Sequence, residues 1–174
     1  MRRVALAGYM GAGKTTVGQA LAALWTVPVI DLDAELVTAW GPIAEQFAQH
    51  GEAVFRARES QMLQRILDSQ PGDLILTLGG GAMMATVNRR ALAQAKVSTV
   101  YLRMPLWLGW SRIHHDAARP LASGDFGAYR ERFARRRRIY GLCDYCVDVY
   151  PGTAGRLAAR IDRRVPRCVI SAAK

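Results

Sequence analysis

The chain has 174 residues, 51% of them hydrophobic and 22% charged, enough for a proper core and typical of one ordinary globular domain. Its formal net charge of +10 suits anionic ligands, but the most basic run, Arg135 to Arg138, lies in a helical segment without regularly spaced aromatics. A polyphosphate and an acidic small substrate therefore account for the charge without nucleic acid, and no apolar run approaches the roughly 18–20 residues of a membrane span.

The N-terminal apolar run Val4-Ala5-Leu6-Ala7 leads directly into Gly8-Tyr9-Met10-Gly11-Ala12-Gly13-Lys14-Thr15-Thr16. It reads as a first strand over 3–8, not a signal peptide. A helical pattern over 14–24 follows. Strand, glycine-rich loop and helix in that order are the context in which G-x-x-x-x-G-K-[ST] signifies a P-loop. The glycines let successive N–H groups face a polyphosphate, and the helix adds the positive end of its dipole. Lys14 would reach the β- and γ-phosphates, and the Thr15 hydroxyl would sit on Mg²⁺. The alternative is a plain strand-to-helix turn. Only three lysines stand among the 24 basic residues, so one in this slot is not filler. The loop points to a nucleoside triphosphate.

Val27-Pro28-Val29-Ile30 is a second apolar run, ending in Asp31-Leu32-Asp33. A β-α-β unit of this length implies a parallel sheet, whose ligands bind beyond the carboxyl ends of the strands. Asp31 and Asp33, read as extended, point to the same side at that edge. The pair could serve Mg²⁺ and accept a proton from a hydroxyl nucleophile, or Asp33 could cap a helix starting at Ala34. Residues 34–70 look helical, with interruptions at Gly41-Pro42 and Gly51. Within them Arg56 and Glu59 are i, i+3 neighbours, readable as one surface ion pair of little worth. Arg58 has no assigned role.

Leu74 to Leu78 reads as a buried third strand ending in Gly79-Gly80-Gly81, where a ligand can lie against bare backbone. No acid follows this strand as a conventional second Mg²⁺ motif would supply, which leaves that role to Asp31. A helix over about 85–94, a strand over 97–102 and a helix over about 106–113 come next. The polar stretch from His114 to Asp125 has the look of a lid or binding loop. The His114/His115 pair has no partner spacing for a metal. A helix over about 126–140, a short strand at Val147 to Val149 and a helix from Ala154 to Ile161 complete the pattern, with a loose tail over 164–174. Three cysteines, Cys143, Cys146 and Cys168, show no disulfide pattern and fit a reducing cytoplasm. Cys143-x-x-Cys146 lacks a second ligand pair, so both are taken as packing residues.

Together these features resemble the shikimate kinase family over residues 2 to about 160. The resemblance rests on Gly8–Thr16, Asp31-Leu32-Asp33, Ile43…Phe47…Gly51-Glu52…Phe55-Arg56…Glu59, Gly79-Gly80-Gly81, Arg119-Pro120-Leu121 and Arg136…Tyr140. The P-loop is widely shared, whereas the ordered set is far more specific. The resemblance implies a single kinase domain over 1–174, a three-layer α/β/α P-loop kinase fold with a central five-stranded parallel sheet. A helical substrate-binding region would span about 32–60 and a mobile lid about 112–125. The reaction would move the γ-phosphoryl of ATP to the 3-hydroxyl of shikimate, in the aromatic amino-acid pathway. By position, Gly11, Ala12, Gly13, Lys14, Thr15 and Thr16 would bind ATP, with Arg112 against adenine and Arg119 reaching the phosphates from the lid. Asp33, Arg56, Gly79, Gly80, Gly81 and Arg136 would bind shikimate. Lys14, Asp33 and Arg119 would be catalytic. Thr15 would ligate Mg²⁺ directly and Asp31 through water. Arg136 is assigned from its position four residues before Tyr140. Leu78 and Ala122 depart from the family's usual residues at their positions. A cytoplasmic monomer with a small-molecule substrate, and no nucleic-acid or membrane partner, is expected.

The residues support this chemistry independently. Phosphoryl transfer needs charge neutralisation and alignment, supplied by Lys14, Mg²⁺ and Arg119. Asp33 can orient the attacking hydroxyl, and the planar forks of Arg56 and Arg136 suit a carboxylated acceptor. Rival readings are a related kinase for gluconate or another cyclitol acid, a nucleotide-binding regulatory module without turnover, and a basic RNA-binding protein.

Overall fold

Alternating apolar runs and helical segments build one five-stranded parallel sheet in the order β2-β3-β1-β4-β5. The structure, a computed structural model, describes residues 1–113, 125–150 and 152–166. The expected lid, apart from Arg112, Ile113 and Asp125, lies outside the described residues, and with it Arg119, His114, His115 and Ala122. The end of the expected tail, with Cys168, lies outside them as well. No helix among the described residues is long and apolar enough to cross a membrane.

The strands are β1 (Arg3–Ala7), β2 (Val29–Asp31), β3 (Leu74–Thr77), β4 (Ser98–Arg103) and β5 (Tyr145–Asp148). β1 and β3 are buried at every position, as strands covered on both faces must be. The helices are α1 (Lys14–Trp25), α2 (Leu32–Trp40), α3 (Ile43–Ser69), α4 (Thr86–Gln94), α5 (Leu106–Ile113), α6 (Phe126–Tyr140) and α7 (Ala154–Arg164). A single 3₁₀ turn, Ala82–Met84, follows the three glycines. α3 is broken at Gly51, whose φ of 76° and ψ of 170° leave the helical region. Packed helices flank the sheet, giving the expected three-layer architecture.

Chain order decides where a ligand can sit. From β1 the chain runs outward to β2, returns to β3 between them, and then crosses β1 to β4. The order reverses at β1 and β3, and crevices form beyond the carboxyl ends of strands at such a switch. Residues 8–13 follow β1 and residues 78–81 follow β3, so the two glycine-rich segments emerge side by side. The register places Leu6 opposite Thr77, and Thr77 opposite Asp31, in one row across three strands.

Among the boundaries that differ from the sequence expectation, three have a clear physical reason. β2 begins at Val29 because Pro28 lacks an N–H for the ladder. α2 begins at Leu32, two residues before the expected start, because Asp31 supplies its cap. β5 begins at Tyr145, paired with Val100, since parallel pairing beside β4 and not the short Val-Asp-Val pattern sets its extent.

α1 ends with Thr26 in the left-handed region, at φ 57° and ψ 42°, while its N–H donates to the Ala22 carbonyl. A β-branched residue is strained there, and the side chain is exposed with little packing to lose. Thr26→Gly is expected to stabilise the fold by about 0.5–1 kcal/mol. Thermal unfolding should show the midpoint rising by roughly 1–4 °C; a lower midpoint would show that the threonine makes a compensating contact.

Candidate active site

After β1 the chain turns through Gly8–Gly13 and enters α1 at Lys14. Gly11 has φ +82°, and a Cβ there would stand 2.7 Å from the Gly109 carbonyl oxygen, so α5 rests directly on the loop backbone. Gly13 precedes α1 with no side-chain cap. The first N–H groups of the helix are therefore available to an anion, at the positive end of the dipole. Lys14 folds back over the loop, donating from Nζ to the Gly8 carbonyl at 3.0 Å and the Tyr9 carbonyl at 3.4 Å. A cavity of about 330 Å³ opens here, lined by Lys14, Thr15, Thr16, Asp31, Asp33 and Arg112 among others. Arg112, expected against a nucleobase, lies on the loop itself, donating from Nη1 to the Gly11 carbonyl at 2.9 Å.

The two aspartates do different jobs. Asp31 ends β2, whereas Asp33 stands in the first turn of α2, so the two do not share an extended segment. The cap of α2 is Asp31, not Asp33: Oδ1 of Asp31 accepts the Asp33 N–H at 3.0 Å and the Ala34 N–H at 3.2 Å. Its Oδ2 accepts the Thr15 hydroxyl at 2.9 Å and the Thr77 hydroxyl at 2.7 Å. Four donors pin one carboxylate at the mouth of the loop. Hard oxygen donors of this kind suit a divalent cation. Among the described residues no three His, Cys, Asp or Glu side chains gather as a cage. Any cation there must complete its shell with phosphate and water.

The three glycines after β3 form the second half of the site. A Cβ at Gly79 would lie 2.5 Å from Asp33 Oδ1 and 2.9 Å from Glu59 Oε1, and one at Gly81 would overlap the Arg56 guanidinium. Only bare backbone allows these side chains to close in. Arg136 donates from Nη1 to the Gly80 carbonyl at 2.9 Å, and the Tyr140 hydroxyl donates to the same oxygen at 2.5 Å. Arg135 is exposed and reaches Glu131 at 3.7 Å, while Arg137 and Arg138 are exposed. Of the four consecutive arginines it is Arg136 that turns to the glycines. Leu78, buried with the core, also lines the nucleotide cavity.

The Arg56–Glu59 pair is not the surface pair the sequence suggested. Glu59 is 1% exposed and accepts from Arg56 Nη1 at 3.1 and 2.9 Å, while Arg56 also donates from Nε and Nη2 to Glu52. Burial pushes the Glu59 carboxyl above its ordinary range, more than the neighbouring Arg56 guanidinium pulls it down, and Asp33 adds to the rise. The Arg56 guanidinium lies 5.1 Å from the centre of the Phe55 ring and 5.8 Å from that of Phe47. Low local dielectric and a fixed carboxylate hold it in place. Arg58 turns elsewhere, over Trp40 at 5.5 Å and to the Gln46 amide oxygen at 3.4 Å.

The structure thus gathers Lys14, Thr15, Asp31, Asp33, Arg56, Gly79, Gly80, Gly81, Arg112 and Arg136 along one edge of the sheet. Sequence reasoning gave no role to Thr77, Tyr9 or Tyr129, and used Glu59 and Tyr140 only as an ion-pair partner and a mark of spacing. Thr77 had a signal, a hydroxyl closing an apolar strand. Glu59 had one too: it falls on the stripe of Phe55, Met62, Leu63 and Ile66 that α3 buries, where a lone charge requires a partner. Tyr9 and Tyr129 gave none. Cys143 and Cys146 are half-buried against the core, as expected, and burial pushes the Cys143 thiol up to about 12.

A model of the shikimate kinase family matches residues 10–164. The shikimate kinase of Cereibacter sphaeroides is 40% identical over 163 residues, covering 92% of this chain and 80% of that protein. A solved shikimate kinase from Acinetobacter baumannii, in complex with shikimate, superposes with a TM-score of 0.87 at 34% identity, over 94% of this chain and 92% of that one. A gluconokinase from Sinorhizobium meliloti gives 0.62 at 17% identity, over 91% and 87% respectively, and shares the fold alone. With a P-loop facing an arginine-flanked triglycine turn, and a family model that matches residues 10–164, the chain belongs to the shikimate kinase family.

Proposed function

We propose that the chain transfers the γ-phosphoryl group of ATP to the 3-hydroxyl of shikimate, giving shikimate 3-phosphate and ADP on the way to the aromatic amino acids. One observation carries this reading: Arg56 and Arg136 converge with Asp33 on Gly79–Gly81, next to the mouth of a P-loop. Two planar cations recognise a carboxylate, and the bare backbone leaves room for a ring beside it. Family membership and the shikimate bound by the Acinetobacter enzyme support the same acceptor. Gluconate is the weaker reading, since the likeness to a gluconokinase extends to the fold alone.

In the reaction Lys14 exchanges the Gly8 carbonyl for phosphate oxygens, and the N–H groups at the start of α1 hold the polyphosphate. Thr15 and Asp31 fit Mg²⁺ by their donor atoms and would hold it, Thr15 directly and Asp31 through water. Bound there, the cation would neutralise charge on the phosphates. Asp33 accepts the hydrogen bond of the attacking hydroxyl and takes its proton as transfer proceeds. Arg56, oriented by Glu59, and Arg136, anchored on Gly80, grip the carboxylate and fix which hydroxyl faces the donor. Gly11, Ala12, Gly13 and Thr16 complete the phosphate cradle, Arg112 flanks the nucleotide, and Arg119 closes over the phosphates from the lid. The enzyme works as a cytoplasmic monomer on a small molecule, without nucleic acid or membrane.

ADP release measured with shikimate, quinate and gluconate side by side should favour shikimate; turnover with another acid and none with shikimate would overturn the assignment. Asp33→Asn removes the base while preserving its shape. Its kcat should fall by about two to four orders of magnitude with ATP affinity retained, and near-normal turnover would exclude Asp33 from proton transfer.

Glu59→Gln should raise the shikimate KM roughly ten-fold through loss of the charge that orients Arg56. Its pH dependence has a definite sign. A carboxyl raised by burial binds its proton more tightly in the folded than in the unfolded chain. Its contribution to stability is therefore full below the unfolded value and is lost as pH rises through the folded value. Urea unfolding from roughly pH 4 to pH 7 should show the wild-type stability, minus that of Glu59→Gln, declining with pH. A rising difference would mean that the Arg56 pairing outweighs burial.

A further inference from the structure

The donor loop and the acceptor arginine touch at Tyr9. It follows the first glycine of the P-loop and is 1% exposed. Its backbone belongs to the nucleotide half of the site: the Tyr9 carbonyl accepts the Ala12 N–H at 3.1 Å and Lys14 Nζ at 3.4 Å. Its side chain belongs to the acceptor half. The ring lies under the Arg136 guanidinium, 5.7 Å from its centre, tilted against Tyr129 at 4.8 Å and edge-on to Phe133 at 5.4 Å. The Tyr9 hydroxyl donates to the Tyr129 carbonyl at 3.1 Å, and the Tyr129 hydroxyl donates back to the Met10 carbonyl at 3.2 Å.

We propose that Tyr9, clasped by Tyr129, is a positioning residue that couples filling of the nucleotide loop to the grip of Arg136 on the acceptor acid. Two reciprocal hydrogen bonds between buried groups lock residues 9 and 10 of the loop to α6, which carries Arg136. A phosphate that draws Lys14 away from the Gly8 and Tyr9 carbonyls alters the loop at the residue whose ring supports Arg136. A close-packed buried cluster passes such a change on as a displacement instead of absorbing it. Linkage makes the effect reciprocal: the acid must tighten nucleotide binding by the same factor. Arg136 is then set by three elements, through Tyr9 of the loop, the Gly80 carbonyl and its own helix.

The inference rests on the acceptor reading above, and the readout is a ratio. Calorimetric titration gives the shikimate Kd with and without saturating ADP and Mg²⁺. The wild-type enzyme should show tightening of at least about five-fold. Tyr9→Leu, which removes both ring and hydroxyl, should bring the ratio to within about two-fold of unity. Tyr129→Phe, which removes only the hydroxyl that holds Met10, should lower it as well, and keeps the result readable where the leucine variant folds poorly. The Tyr9→Phe/Tyr129→Phe pair should be less than additive, since both hydroxyls serve one clasp. A ratio preserved in both Tyr9→Leu and Tyr129→Phe, with only the melting temperature lowered, would reduce the clasp to a structural role and overturn the proposal. So would a wild-type ratio of one. Failure of wild-type enzyme to bind shikimate in either state would overturn it together with the substrate assignment.

Discussion

The site depends on a stretch of main chain that carries no side chains. At Gly79–Gly81 the backbone leaves the central part of the sheet, and two carboxylates and two guanidiniums from three helices press against it. A methyl group at Gly79 would meet Asp33 and Glu59, and one at Gly81 would meet Arg56. These contacts bring opposite charges close together in a partly dry place. The glycine backbone contributes in return, since the Gly80 carbonyl receives both Arg136 and Tyr140. Substituting any of these side chains would leave a buried charge or dipole without its partner, which is why the cluster acts as a unit.

Around that stretch the electrostatics are graded by burial. Asp31 sits at the open mouth of the loop with four donors on its carboxylate. Glu59 lies deeper, where burial opposes ionisation and Arg56 partly restores it. Asp33 falls between them, against Gly79. Three carboxylates within one site thus have three environments: one at the mouth of the loop, one against Gly79 and one on the Arg56 guanidinium. Separation of roles by environment is how a site assigns proton acceptor, metal partner and structural anchor to the same functional group.

Much of this was readable in the residues because local rules generate it. The P-loop has a mechanism at each of its positions, and the alternation of apolar runs with helical segments implies a parallel sheet without reference to any structure. The family resemblance separated Arg136 from its three neighbours by its spacing to Tyr140, and one helical turn sets both side chains on the Gly80 carbonyl. Cys143 and Cys146 read as packing residues and are so placed. The errors are of one kind. Asp31 and Asp33 were read as an extended pair because the sequence does not announce that a strand stops at its own cap. Glu59 was read as exposed because i, i+3 spacing reports that two side chains meet and is silent on which face of the helix is buried.

By itself, then, the sequence determined the donor chemistry and the sheet class, since each follows from spacing along the chain, while the acceptor residues came from the family resemblance. Tertiary structure alone decided the neighbours across the chain. Thr77 holds Asp31 because the register of β2 and β3 sets them side by side. Tyr9 meets Tyr129, 120 positions later, because α6 packs over the loop. Arg112 lands on Gly11 because α5 rests on the loop backbone. Local pattern is dictated by bonded geometry and hydrophobic period, whereas contacts between distant segments arise only when the whole core closes and buried polar groups must find partners there.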